Sequence, residues 1–151
     1  MAAAGWAVEF RMGKPEPLDA SGARTRLVAL RDALLQLHKT LVDSERVEYE
    51  KTMGPISSAN EFLRLLSNDP WFAWLAPLTR TLVHIDESLE GEEPLTEDQI
   101  NHFASSVFTL LVVDETGHGF GKQYFEALQR DPDVVMAHAA VAKMRPKQKR
   151  E

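Results

Sequence analysis

Histidine and carboxylate side chains are the groups in this sequence best suited to bind a metal ion or to transfer protons. Glu115 and His118 form its one Glu-x-x-His pair, and Asp98 precedes His102 by four residues, the spacing of neighbours on one helical face. A di-metal bundle needs two such pairs on helices and a glutamate from each of two further helices. The sequence therefore predicts no metal site and no cofactor. These four residues remain the candidates for a metal-dependent enzyme, our third functional hypothesis.

Other kinds of catalysis lack their sequence patterns. The chain has no cysteine and no Gly-x-Ser-x-Gly sequence, so a thiol nucleophile and a serine elbow are both excluded. The glutamate-rich runs at residues 45–50 and 90–93 are typical of solvated helix faces. The loop GHGFG could present amide groups to an anion, but Asp114 and Glu115 beside it would repel phosphate, and we interpret its glycines as a tight interhelical turn. A non-enzymatic function is therefore favoured.

The stretch DPWFAWLAPL, residues 69–78, concentrates aromatic side chains at a predicted helix start. Aspartate followed by proline suits the first turn of a helix. Pro77 cannot donate a hydrogen bond to the carbonyl of Ala73, so a kink is expected inside this helix. We expect Trp71 or Phe72 to be more exposed than Trp74, because they lie at the helix start. Four residues are the candidates for partner or ligand binding: Trp71, Phe72, Trp74 and Pro77.

Helical periodicity dominates the rest of the chain. The first long helix has an apolar seam with spacings of three and four residues, formed by Leu27, Leu30, Leu34, Leu37 and Leu41. Its second half is rich in charge and is expected to project past the core. Ser58 with Glu61 and Thr96 with Gln99 have the spacing of capping boxes. The run VFTLLVV at residues 107–113 could form a strand, but no partner strand is evident and we interpret it as helix.

The predicted fold is an all-α bundle of about four principal helices with one or two short helices. Residues 1–22 are predicted to be a flexible extension, residues 23–144 a single helical domain, and residues 145–151 a basic tail. A length of 151 residues suits one domain with a real core. The net charge of −6 argues against a nucleic-acid partner. No apolar run reaches the ~20 residues of a membrane span, so we expect a cytoplasmic protein without membrane contact.

Two blocks, NEFLRLLSNDPWFAWLAPLTRTLVHIDESLE (residues 60–90) and GFGKQYFEALQRDPDVVMAHAAV (residues 119–141), resemble a group of small bacterial proteins of no established function. The resemblance covers about residues 27–144. It implies a bacterial, cytoplasmic origin and no particular catalytic or binding residue.

Two further hypotheses follow from the residues themselves. The first is a helical module that binds a protein partner or forms a homodimer, because tryptophan is enriched where interfaces concentrate their binding energy. The second is a bundle that binds a small molecule or cofactor in a pocket near the kink at Pro77.

Overall fold

The structure is a computed structural model that describes residues 22–145. Apart from Gly22 and Arg145, the predicted extension and basic tail lie outside the described residues. Within these residues the fold is all-α, as the sequence predicts, with no strand. The elements in chain order are α1 (Ala23–Met53), α2 (Ala59–Asn68), a 3₁₀ segment (Pro70–Leu75), α3 (Ala76–Glu90), α4 (Glu97–Leu110), α5 (Phe120–Arg130) and α6 (Pro132–Ala142).

The 31-residue helix α1 is the central element of the bundle. All five leucines of its predicted seam are buried. The seam packs mainly against α6 and α3, and α1 also contacts α4, α5 and the 3₁₀ segment. Burial of a leucine side chain stabilises the fold by about 1.5–3 kcal/mol. The seam is therefore the main source of stability that the sequence identifies directly.

Local side-chain caps begin four of the helical elements. Thr96 and Gln99 form a complete capping box at α4. At α2 the hydroxyl of Ser58 accepts from the amide of Glu61, while the Glu61 carboxylate is bonded to Arg64 instead of to the Ser58 amide. Asp69 and Asp131 each accept from the amide two residues later, which begins the 3₁₀ segment and α6. These caps satisfy amides that the helix itself leaves unpaired.

The helix predicted from Asp69 onward differs from expectation in its first turns. Residues 70–75 wind as a 3₁₀ helix, and Pro77 lies in the first turn of α3, where its missing N–H leaves no gap in the hydrogen bonding. The expected interior kink and the free carbonyl of Ala73 are both wrong, because the amide of Ala76 donates to that carbonyl. A 3₁₀ helix has three residues per turn, so Phe72 and Leu75 both face the core, and Leu78 continues this face in the first turn of α3.

The charged half of α1 does not project past the core, contrary to expectation. Glu45 is buried, with 6% of its surface exposed. Tyr49 packs against the 3₁₀ segment, and Glu50 accepts a hydrogen bond from the amide of Ile56. Glu45 and Glu48 therefore contact Arg130 of α5, Glu50 contacts the connection after α1, and residues 51–53 of the last turn are exposed.

The connection between α4 and α5 is the glycine-containing loop predicted as a turn. The helix ends at Leu110, so Val112 and Val113 of the ambiguous apolar run lie in the loop and are exposed. Asp114 Oδ1 accepts from the amides of Thr116 and Gly117. A Cβ on Gly121 would lie 2.9 Å from the carbonyl oxygen of Val112, so glycine is required for this close approach.

Candidate functional site

Trp71 and Phe72 belong to an aromatic cluster between α1, α2 and the 3₁₀ segment. The ring centroids of Tyr49 and Trp71 are 5.5 Å apart in an edge-to-face arrangement, and Phe72 lies 5.5 Å from Tyr49 and 5.9 Å from Phe62. The guanidinium of Arg46 covers Phe62. Phe72 is 1% exposed and Trp71 is half-buried. Phe72 is therefore a core residue, so of the two residues expected to be the more exposed, Phe72 is excluded and Trp71 is half-buried like Trp74.

Trp74 of the 3₁₀ segment belongs to a second aromatic cluster, together with residues of α5 and α6. Its ring lies 5.3 Å from that of Phe120, which stacks on Tyr124, and Tyr124 in turn packs against His138. The indole nitrogens of Trp71 and Trp74 are buried and have no hydrogen-bond acceptor within residues 22–145. Neither N–H is accessible to an external ligand in this arrangement. Both tryptophans thus act first as contacts between helices.

Pro77 lies at one end of an open groove between α3 and α4 with a volume of about 530 Å³. From α3 the groove is lined by Pro77, Arg80, Thr81 and His84. From α4 it is lined by His102, Ser105, Ser106, Thr109 and Leu110. Each set has the spacing of one helical face. Of the four aromatic-stretch candidates, Pro77 lines this groove and Phe72 lines a separate depression of about 440 Å³ beside α1 and α2. Sequence periodicity does not reveal the polar residues opposite Pro77.

The four metal candidates do not form a common site. Glu115 and His118 are exposed in the loop before α5, whereas Asp98 and His102 are exposed on α4. Within residues 22–145, no group of three or more histidine and carboxylate side chains has the geometry to bind a metal ion.

Helix α6 presents an apolar surface that sequence reasoning missed. Apart from Pro132 at its first position, its only residues that are not alanine, valine or methionine are Asp133 and His138. Its inner side is buried on α1 and α5. Met136 is nevertheless 70% exposed and Val135 45% exposed. We define the α6 face as four exposed residues: Val135, Met136, Ala139 and Ala140.

The sequence signal for this surface is the lack of a polar side on α6. A helix that is apolar on all sides is normally surrounded by protein. In α6, apolar residues lie on both the buried and the exposed side, so one apolar side is not surrounded by protein of the described part of the chain. The α6 face is therefore an apolar helix surface without a cover among the described residues.

The ends of the α6 face have opposite charge. Asp131 and Asp133 lie at its start, and Lys143 follows its last turn. Neither Asp133 nor Lys143 forms an ion pair with another residue of the described part of the chain. This polarity follows the helix dipole, for which acidic groups near the start and basic groups near the end are favourable.

No protein-family model, curated protein or solved structure matches this chain. Among residues 22–145, no helix is both long enough and apolar enough to cross a membrane.

Proposed function

We propose that the protein is a non-enzymatic helical module that associates with a second copy of itself through the α6 face. The observation that supports this most directly is the exposure of Met136 and Val135 on a helix that is otherwise apolar. Exposed apolar patches on small soluble domains are typical of interaction sites. We favour a second copy of the chain as the binding partner, because the α6 face is complementary to itself in both shape and charge.

Shape complementarity arises when two α6 helices pair antiparallel about a two-fold axis. In such a pair, residues whose numbers add to the same sum lie opposite each other, as in any isologous contact. A sum of 275 places Met136 opposite the partner copy's residue 139, an alanine, and Val135 opposite residue 140, also an alanine. Each large side chain then faces a small one, which lets the two helix axes approach closely.

Charge complementarity follows from the same register. Lys143 of each copy lies beside the acidic start of the other α6, where Asp133 is located. Antiparallel helices also align opposite ends of their dipoles. The pairing therefore brings together opposite charges at both ends and apolar side chains in the middle.

The size of the surface predicts a reversible dimer. The 11 residues of α6 extend about 16 Å. One face of a helix of this length buries much less area than the roughly 800 Å² per partner of a stable interface. Val47 of α1 is 51% exposed and lines the same shallow depression as Met136, whereas the other α1 residues of that depression are polar. Helix α1 therefore adds a single apolar side chain to the surface. We expect association that depends strongly on concentration.

Sedimentation velocity over a range of protein concentrations tests the proposal. The expected result is a monomer–dimer equilibrium that Met136→Glu shifts to monomer, because the variant places two charges in the apolar centre. Leu63→Glu is the matched control, since Leu63 is similarly exposed, at 61%, but lies on α2. A wild-type protein that stays monomeric at the highest concentration, or a Met136→Glu variant that dimerises as well as the control, contradicts self-association.

A charge exchange tests the antiparallel register. Asp133→Lys and Lys143→Asp should each weaken the dimer, because each places like charges side by side in both halves of the symmetric contact. The double variant should recover most of the lost affinity. Circular dichroism of each variant separates this effect from loss of α6 itself, since the exchange opposes the helix dipole. A double variant that dimerises as weakly as the single variants would rule out this register.

The groove at Pro77 favours a second candidate function, the binding of a small molecule. Its volume of about 530 Å³ lies in the range of ligand sites. The bacterial origin, the cytoplasmic location and the resemblance to small bacterial proteins stay predictions from the sequence.

A further inference from the structure

The groove between α3 and α4 is lined by hydrogen-bond donors and lacks acidic groups. Its nine lining residues include one arginine, two histidines and four hydroxyl side chains, and none of the nine is acidic. The whole chain, in contrast, has 23 acidic and 17 basic residues. Negative charge on a ligand would therefore meet donors and no carboxylate inside this groove.

Arg80 is the first group in the groove that is available to an anion. Within residues 22–145 it is the one arginine without an ion pair, a hydrogen bond or a ring contact. Arg31 and Arg130, for comparison, bind carboxylates on other helices. The planar guanidinium can donate two parallel hydrogen bonds to a phosphate or carboxylate. The exposed Arg80 therefore keeps its full donor capacity, and it lines both this groove and a neighbouring depression that contains Asp69.

Three hydroxyls on α4 are available as well. Serine and threonine in a helix often donate to the carbonyl four residues earlier. Among the described residues, the side chains of Thr40, Ser67, Thr79 and Thr81 do so. The hydroxyls of Ser105, Ser106 and Thr109 make no such bond and have no hydrogen-bond partner in the described part of the chain. These three donors face Arg80 across the groove.

The size and the remaining lining restrict the kind of ligand. A volume of about 530 Å³ is much larger than a single phosphate group, so an organic body fits beside it. Phenylalanine, tyrosine and tryptophan are missing from the lining, and a nucleobase would lack the stacking surface that such sites normally use. The imidazoles of His84 and His102 can instead exchange hydrogen bonds with hydroxyl groups.

We propose that the α3–α4 groove binds a small phosphorylated polyol, with the phosphate between Arg80 and the hydroxyls of Ser105, Ser106 and Thr109. The hydroxylated body lies toward His84 and His102. This inference rests on the second candidate function, small-molecule binding in the groove. It is independent of self-association, because the groove and the α6 face share no residue.

Titration of ¹⁵N-labelled protein with glycerol 3-phosphate tests the proposal by NMR. The titration uses the Met136→Glu variant, which is expected to be monomeric. The result then does not depend on whether the wild-type protein dimerises. We expect saturable amide shifts confined to the groove-facing turns of α3 and α4. Shifts that do not saturate, or that spread over the surface, would overturn the proposal.

Two sets of variants assign the phosphate contact. Arg80→Gln should weaken binding about tenfold, because a charged hydrogen bond is lost. Ser105→Ala combined with Ser106→Ala should weaken it without changing any charge. Arg64→Gln is the control, since Arg64 is exposed and lies on α2. Unchanged affinity in both groove variants, or equal loss in the control, would show that the phosphate does not lie in the groove.

Two simpler probes separate the parts of the ligand. Inorganic phosphate should bind the same residues more weakly than glycerol 3-phosphate, and glycerol should not bind. Binding of glycerol as strong as that of its phosphate would contradict recognition of the anion.

Discussion

At the residue scale, the hydrogen bond between Tyr124 and His138 joins two side chains whose pKa values are both shifted by burial. The phenolic oxygen lies 2.7 Å from His138 Nδ1, and Tyr124 is fully buried. Burial raises the pKa of Tyr124, and burial, with a smaller contribution from the charge of Arg145, lowers the pKa of His138. Both groups are therefore neutral at pH 7, and the bond joins α5 to α6 beneath the α6 face.

Tyr124→Phe should destabilise the protein by about 1 kcal/mol, because His138 Nδ1 loses its partner in a partly buried position. Urea unfolding measures this difference. Tyr49→Phe is the matched control, since the Tyr49 ring is also packed but its hydroxyl has no hydrogen-bond partner within residues 22–145. A loss as large in the control as in Tyr124→Phe would mean that the hydroxyl of Tyr124 contributes nothing specific.

At the element scale, α1 and α5 are joined by an ion pair with one buried partner. Arg130 Nη2 lies 2.6 Å from Glu45 Oε2 and 3.1 Å from the hydroxyl of Ser44. The side chain of Glu45 is 7% exposed and that of Arg130 is 28% exposed. Removing one partner leaves the other charge without its compensation away from water. The last turn of α5 is therefore held on the charged half of α1.

Arg130→Met should destabilise the protein by about 3 kcal/mol, because it leaves the Glu45 carboxylate buried and unpaired. The double variant Arg130→Met with Glu45→Met should recover most of the loss, since it removes both charges. Thermal or urea unfolding measures both. Arg64→Met is the control: it removes an exposed ion pair with Glu61 and should change stability by less than about 1 kcal/mol. A double variant no more stable than Arg130→Met would argue against a buried-charge penalty.

At the scale of the whole molecule, two partly buried histidines make global stability depend on pH. Burial lowers the pKa of His38, which contacts Thr79, and that of His138, below the ordinary value of 6.5. As the pH falls through 6.5, the unfolded chain therefore binds protons that the folded protein does not. The free energy of unfolding must decrease over this interval.

The free energy of unfolding should fall as the pH is lowered from about 7.5 to about 5.5. Most carboxylates titrate below this range and do not contribute to the change. Urea unfolding at several pH values measures the slope. The variant His38→Gln with His138→Gln should have a smaller slope, because neither glutamine can bind a proton. A slope that is the same in this variant and in the wild type would assign the pH dependence to other groups.

The sequence alone determined the fold class and most element boundaries. Its signals are local: the leucine spacing of α1, the capping box at Thr96, and the Asp-Pro starts at residues 69 and 131 act within one or two turns. Local geometry also explains the one error in winding. A 3₁₀ segment before Pro77 turns Phe72 inward, and α-helical periodicity cannot reveal a change to three residues per turn.

Only the tertiary structure decided which polar and apolar residues meet. Glu45 belongs to a charged run in the sequence, and its burial depends on Arg130, 85 residues later. The α3–α4 groove depends on two helical faces that are brought together by packing on α1. The α6 face is exposed because only one side of an evenly apolar helix is covered. Periodicity describes one helix at a time, whereas burial and donor clustering depend on the neighbouring helices.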